Sequence, residues 1–199
     1  MPYPDFFEQI PSIRLRDPLA EFLGSAHGGI LEYSYSDVVK LTGHSCPTVA
    51  GAWLMTTGAL KRLYGEQLPV RGNIVVRVRN GSAEGVTGII ASVAGFITGA
   101  AGGTGFKGLR GQFERRDLLR FDQAIGGDLR FERLDTGAGV TVGYNAAVVP
   151  PPPNLMPQLL DALSPGATVQ VRAAFAQSWQ ARVRAIIEHA GHPQLLQYS

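Results

Sequence analysis

The sequence predicts an α+β fold: an antiparallel or mixed sheet packed against a long central helix and a buried apolar helix, with C-terminal helices appended. Three observations carry this reading. Residues 47–64 repeat apolar side chains at three- and four-residue spacing, the mark of a helix with one buried face. Residues 85–100 are nearly all apolar, which suits a helix buried on every side. Runs at 30–35, 74–79, 128–134 and 140–144 are alternating or β-branched and read as strands.

The elements follow in chain order. Asp17-Pro18-Leu19-Ala20-Glu21 opens a short helix, with Asp as N-cap and Pro at the first helical position, and Gly24 closes it. His27 lies in the loop 25–29, and the first strand follows at 30–35. Ser36 is read as the cap of a short helix over 37–41. For the central helix, Cys46 is the predicted N-cap and Pro47 the first helical residue. Lys61 and Arg62 meet the negative end of the dipole, and Gly65 stops the helix. Gly51 and its neighbours Ala50 and Ala52 keep one stretch of that helix small. Asn80-Gly81 is a turn, residues 99–108 form a glycine-rich loop, and 109–115 read as a further strand. Residues 128–134 and 140–144 form a hairpin turned by 135–139.

Residues 1–149 are therefore assigned to one α+β core. Pro150 to Pro153 begin an extension over 150–199, a polyproline linker followed by helices at 155–163 and 167–189. The apolar stripe of the last helix, Val171, Phe175, Trp179, Val183, Ile186 and Ile187, needs cover from the core or from a second copy.

Composition narrows the function classes. The 199 residues are 45% hydrophobic and 17% charged, with net charge +2 and no clustered basic face, so no nucleic-acid partner is expected. No membrane partner is expected either, since 86–101 is too short and too glycine-rich for a bilayer span. The first residues lack a basic and then apolar leader, which points to the cytoplasm. A single cysteine rules out an internal disulfide framework and a four-cysteine zinc site.

The chemistry concentrates at Gly43-His44-Ser45-Cys46-Pro47, where an imidazole, a thiol and a helix start fall together. A His-x-Cys turn suits chelation of one zinc ion by both side chains. A thiol at a helix N-cap is also a better nucleophile, because the dipole favours thiolate, with His44 then acting as base. Against both stands a plain alternative in which Cys46 is a small buried hydrophobe and His44 a surface side chain. A third metal ligand would come from His27 or from Glu84, which begins the second helix. His189 and His192 read as solvent-facing. In the glycine loop, Lys107 and Thr104 are the candidates for contacts to a cofactor or ligand in the same cavity. The loop follows a helix rather than opening one, so it does not match a phosphate-binding loop.

These motifs resemble, in order, those of the FmdE family, named for one of the subunits of formylmethanofuran dehydrogenase. The likeness covers about residues 27–145. Gly43-His44-Ser45-Cys46-Pro47 is similar to the family's Gly-His-x-Cys-Pro turn. Ala83-Glu84-Gly85-Val86-Thr87 is similar to its second helix start, and Thr98-Gly99-Ala100 through Phe106-Lys107-Gly108 to its third motif. The hairpin with Asp135-Thr136-Gly137 looks similar to the closing strands. The resemblance implies an α+β core, a homodimer, and a metal cavity including His44 and Cys46. Departures are clear. Thr42, Glu84 and Ala100 stand where the family tends to carry a histidine and two cysteines, and the C-terminal zinc finger is replaced by helices. Glu84 and His27 would then substitute as ligands and make the site harder.

Three functions follow as expectations. The first is a metal-binding protein holding Zn2+, or another divalent transition metal, through His44 and Cys46 with a third ligand from Glu84 or His27, and a fourth position open to a small-molecule ligand. The second is a metal-free thiol enzyme with Cys46 as nucleophile. The third is a non-catalytic accessory or assembly protein.

Overall fold

The computed structural model describes residues 3–199. In chain order the elements are β1 (Ile13–Arg16), α1 (Pro18–Phe22), β2 (Ile30–Tyr33), α2 (Tyr35–Thr42), α3 (Pro47–Tyr64), β3 (Ile74–Val78) and α4 (Thr87–Thr98). Then come β4 (Leu119–Arg120), β5 (Leu129–Arg133), β6 (Gly139–Tyr144), α5 (Leu155–Leu163), α6 (Val169–Glu188) and β7 (Leu196–Tyr198). β1 and β2 form an antiparallel pair of their own. The main sheet is mixed, in the order β4-β3-β5-β6-β7, with only β3 and β4 parallel. This is the α+β architecture the sequence predicts.

Local chemistry sets the helix starts. The Asp17 carboxylate accepts from Leu19 N and Ala20 N, with Pro18 next in line, as the capping pattern requires. α3 runs from a Cys46 cap to Tyr64 and ends at Gly65, whose φ of 57 suits glycine. α2 departs from the reading: its cap is Ser34, not Ser36. The Asp37 carboxylate in turn accepts from Ser34 N, completing a capping box two residues earlier. Tyr35 thereby becomes helical and buries its ring edge-on against Phe7 and Trp53.

α3 is the axis of the core. It packs against α4 on one side and across β6 on the other. Two glycines allow that approach. A Cβ at Gly51 would overlap the Tyr144 ring, and one at Gly58 would overlap the Tyr198 hydroxyl. Without side chains there, the aromatic rings of β6 and β7 lie directly on the helix backbone.

The region after α4 departs furthest from the reading. Residues 109–115 do not form a strand; only an isolated bridge joins Leu109 to Gln112. Arg110, Phe113 and Asp117 take positive φ, which breaks any extended run. The glycine loop bonds to this segment instead: Ala101 N donates to Arg115 O and Arg115 N donates to Phe106 O. The edge strand β4 forms beyond it.

The C-terminal residues return to the core. Val183 and Ile186 of α6 are fully buried, and β7 pairs with β6 to complete the sheet. α5 and the first turns of α6 stand proud, leaving Met156, Leu160, Leu163 and Val169 exposed. No helix among the described residues is long and apolar enough to cross a membrane.

Candidate functional site

α3 and α4 both begin at one cleft of about 520 Å³. Thr48 comes from the first turn of α3, and Glu84 to Thr87 from the approach to α4. The sheet supplies Arg79 just past β3, Asp128 just before β5 and Tyr144 at the end of β6. Antiparallel pairing places Val78 opposite Leu129, and Arg79 N donates to Asp128 O at 3.1 Å, so the two charged residues are brought together by register.

The charged groups are partly committed. Arg79 Nε donates to Gly127 O at 2.6 Å, which leaves its two Nη groups for the cleft. Asp128 Oδ2 accepts from Tyr144 N at 2.7 Å, and Glu84 Oε1 accepts from Gly81 N at 3.1 Å. Each carboxylate keeps one oxygen without a hydrogen bond among the described residues. Tyr144 is a wall rather than an acid: its hydroxyl donates to Pro47 O at 2.9 Å, and burial pushes its phenol up to about 12.

The His44-Cys46 turn adjoins this cleft and is clamped from several sides. The buried Tyr35 hydroxyl bonds Ser45 Oγ at 3.0 Å. Trp179 Nε1 and Gln180 Nε2, both from α6, donate to Ser45 O at 3.0 and 3.1 Å. Cys46 Sγ accepts from Val49 N at 3.4 Å and is half-buried. His44 is exposed, and its Nδ1 lies 2.9 Å from Thr42 O. A carbonyl only accepts, so Nδ1 carries the proton and the lone pair of neutral His44 is on Nε2. No hydrogen bond links His44 to Cys46 among the described residues.

The remaining sequence candidates divide by position. Glu84 lines the cleft. His27 lies in a one-turn 3₁₀ segment, His27–Gly29, whose Gly29 O accepts from Asp17 N. Asp17 in turn binds Arg71 and Arg115 beside Gly99, at the far end of α4. A helix of 12 residues spans about 18 Å, so His27 stands well away from Glu84. Lys107 and Thr104 are exposed in the glycine loop, which is tied to Arg115 at that same far end. The loop therefore does not line the cavity at the helix starts, because it leaves from the wrong end of α4.

Metal ligation asks for three or more convergent donors. Among the described residues, no three His, Cys, Asp or Glu side chains are grouped so as to hold a metal ion. His44, Cys46, Glu84 and His27, as arranged, do not gather the donor set of a zinc centre.

Sequence reasoning misses Arg79, Asp128 and Tyr144 in the cleft, and Gln180 on the turn, and it reads Trp179 only as part of an apolar stripe. Their convergence depends on strand register and on the return of α6, neither of which has a local signal. No family model matches the chain, and no curated protein matches it.

Proposed function

We propose that the protein binds a small zwitterionic molecule, carrying an amine and a carboxylate or phosphate, in the cleft between the starts of α3 and α4. The observation that carries this is one of charge: the uncommitted Nη groups of Arg79 share a cleft with the uncommitted oxygens of Glu84 and Asp128. A guanidinium fork takes an anionic group in two hydrogen bonds, and carboxylates take an ammonium group. Val78, Val86, Ile90 and the Tyr144 ring supply apolar wall between them. The volume lies in the range of ordinary small-molecule sites. The Ser45-Cys46 turn serves as a rigid support for the Thr48 side of the cleft, held by α6.

The exposed α5 face, with Met156, Leu160 and Leu163 at 58, 66 and 72% exposure, is the surface assigned to a second copy in a homodimer. Sedimentation analysis of the wild type beside a Leu160→Lys variant tests that assignment.

Calorimetric titration of the full chain with α-amino acids, with matched simple carboxylates and with matched amines tests the ligand class. Zwitterions bind, and Arg79→Gln and Glu84→Gln each weaken binding by about tenfold or more, as expected for charged hydrogen bonds. No binding by any zwitterion, or equal binding of the simple anions with no effect of Glu84→Gln, overturns the reading. Elemental analysis of the same preparation decides the rival: stoichiometric zinc, lost in both Cys46→Ser and His44→Ala, would replace the cleft with a metal centre.

A further inference from the structure

A pair of concavities lies along α3, away from the cleft. One, of about 570 Å³, is bounded by the N-terminal segment, α3 and the end of α6; Pro11, Ile13, Leu68 and Ile187 form its accessible apolar surface, over buried Trp53 and Leu54. The other, of about 620 Å³, is bounded by α3 and the C-terminal residues, with Leu196 and Tyr198 along one wall. Leu54, Thr57, Gly58, Lys61 and Ala190 line both, so the two are continuous.

The charges on this trough are of one sign. Arg14, Lys61 and Arg62 line it, and among the described residues no aspartate or glutamate does; His192 lines it too, but with Nδ1 accepting from Gln194 N it adds no positive charge. The whole chain carries 18 Lys and Arg against 16 Asp and Glu, so this segregation is local. Lys61 has no carboxylate partner among the described residues, and Arg62 rests on the Tyr198 ring at 3.5 Å from its centroid. The position of Lys61 and Arg62 in the last turn of α3 accounts for cations there through the helix dipole. It does not account for an apolar trough leading away from them, nor for Arg14, a further cation from a separate segment.

We infer that this trough binds a single-chain alkyl carboxylate. Its hydrocarbon tail lies over Ile13, Leu68 and Ile187, and its carboxylate sits at the junction beside Lys61, with Arg62 and His192 on the polar side. A neutral or cationic amphiphile of the same length would bury the same tail without meeting the cationic rim. The half-open trough makes chain length matter, since each methylene removed from water strengthens binding by up to about fourfold.

The test is calorimetric titration of the full chain with octanoate, decanoate, decanol and decyltrimethylammonium, all below micelle formation. Decanoate binds about threefold or more tighter than octanoate. It also binds about tenfold tighter than decyltrimethylammonium. Lys61→Gln weakens decanoate by about fivefold and leaves decanol unchanged. Thr57→Trp, which fills the shared stretch, abolishes decanoate binding; if that variant does not fold, the Lys61→Gln comparison still decides. Equal affinity for decanoate and decyltrimethylammonium overturns the inference, as does indifference to Lys61→Gln or absence of binding. Association only with phospholipid vesicles in a flotation assay, without binding of the monomeric acid, also overturns it.

Discussion

Asp17 and Arg115 stand 98 positions apart and meet at 2.7 Å in the interior, Arg115 Nη2 donating to Asp17 Oδ1. Arg71 Nη1 donates to the other oxygen at 2.8 Å. The same carboxylate caps α1, so one side chain joins the start of the chain to the approach to β3 and to the glycine-rich region. The glycines explain the fit. A Cβ at Gly72 would overlap Arg115 Nη1, and one at Gly99 would lie 2.8 Å from it. The glycine loop that the sequence offers as a ligand cradle is the frame of a buried arginine.

Breaking that pair is therefore costly. Asp17→Asn leaves two guanidinium groups facing a neutral amide, and the loss of stability should be about 3–5 kcal/mol in urea unfolding at pH 7. Burial alone would raise the Asp17 carboxyl; the hydrogen bond from Arg71, the Arg115 charge and the Ala20 N–H outweigh it and hold it below the usual carboxylate range. Its stabilisation is in full force above that range and drains as pH falls through the lowered value. Wild type loses stability toward acid for this reason, and the Asp17→Asn curve is flatter there. Parallel acid limbs would sink the assignment.

Gly51 and Gly58 separate two kinds of close approach. Alanine at either gains about 1 kcal/mol of helix propensity. At Gly51 the new methyl meets Cε1, Cδ1 and Cζ of Tyr144, a ring pinned by its bond to Pro47 O. At Gly58 it meets chiefly the terminal hydroxyl of Tyr198, which can swing aside. Gly51→Ala should lower stability by about 1–3 kcal/mol, while Gly58→Ala stays within about 1 kcal/mol of wild type. Thermal unfolding of the two variants side by side gives the comparison.

The α6 clamp makes a kinetic prediction. Trp179 and Gln180 hold the carbonyl that precedes Cys46. Trp179→Phe removes one donor worth about 1 kcal/mol, which should raise the alkylation rate of half-buried Cys46 by about fivefold. Unchanged thiol reactivity, followed by mass spectrometry, would show that the clamp does not govern access to the turn.

Legibility in the sequence follows range. Asp17-Pro18 and Cys46-Pro47 announce their helices because cap chemistry is settled within a few residues, and Gly65 ends α3 for the same reason. Ser36 misleads because the deciding contact, Asp37 to Ser34, begins two residues earlier. β7 has three residues and exists through its pairing with β6, so nothing local marks it. The span 109–115 looks extended by residue type, yet its backbone is spent on Ala101 and Phe106. At the site, Glu84 is visible from its place near a helix start, although α4 begins three residues later, at Thr87 after a Val86 cap, whereas Arg79 and Asp128 meet only through β3–β5 register. His27 and Lys107 are attractive by residue type, and the direction of α4 separates them from Glu84.

Tyr144 ties the cleft to the helix turn, and alkaline unfolding exposes that tie. Burial pushes its phenol up to about 12, and burial raises Tyr35 beside Ser45 further still. A raised acid favours the folded state in full below its ordinary value near 10 and loses that advantage as pH rises through the raised one. Stability should therefore fall between about pH 10 and 12, a window in which the unfolded chain ionises first. Tyr144→Phe gives up the hydrogen bond to Pro47 O, at a cost of about 1 kcal/mol at pH 7. It also removes one of the groups that titrates, so its deficit relative to wild type should narrow as pH climbs. Urea midpoints for the two proteins at pH 7, 9.5 and 11 measure this convergence. A deficit that stays constant across the three would mean that Tyr144 ionises as freely in the fold as in the open chain, and that the wall of the cleft is wet.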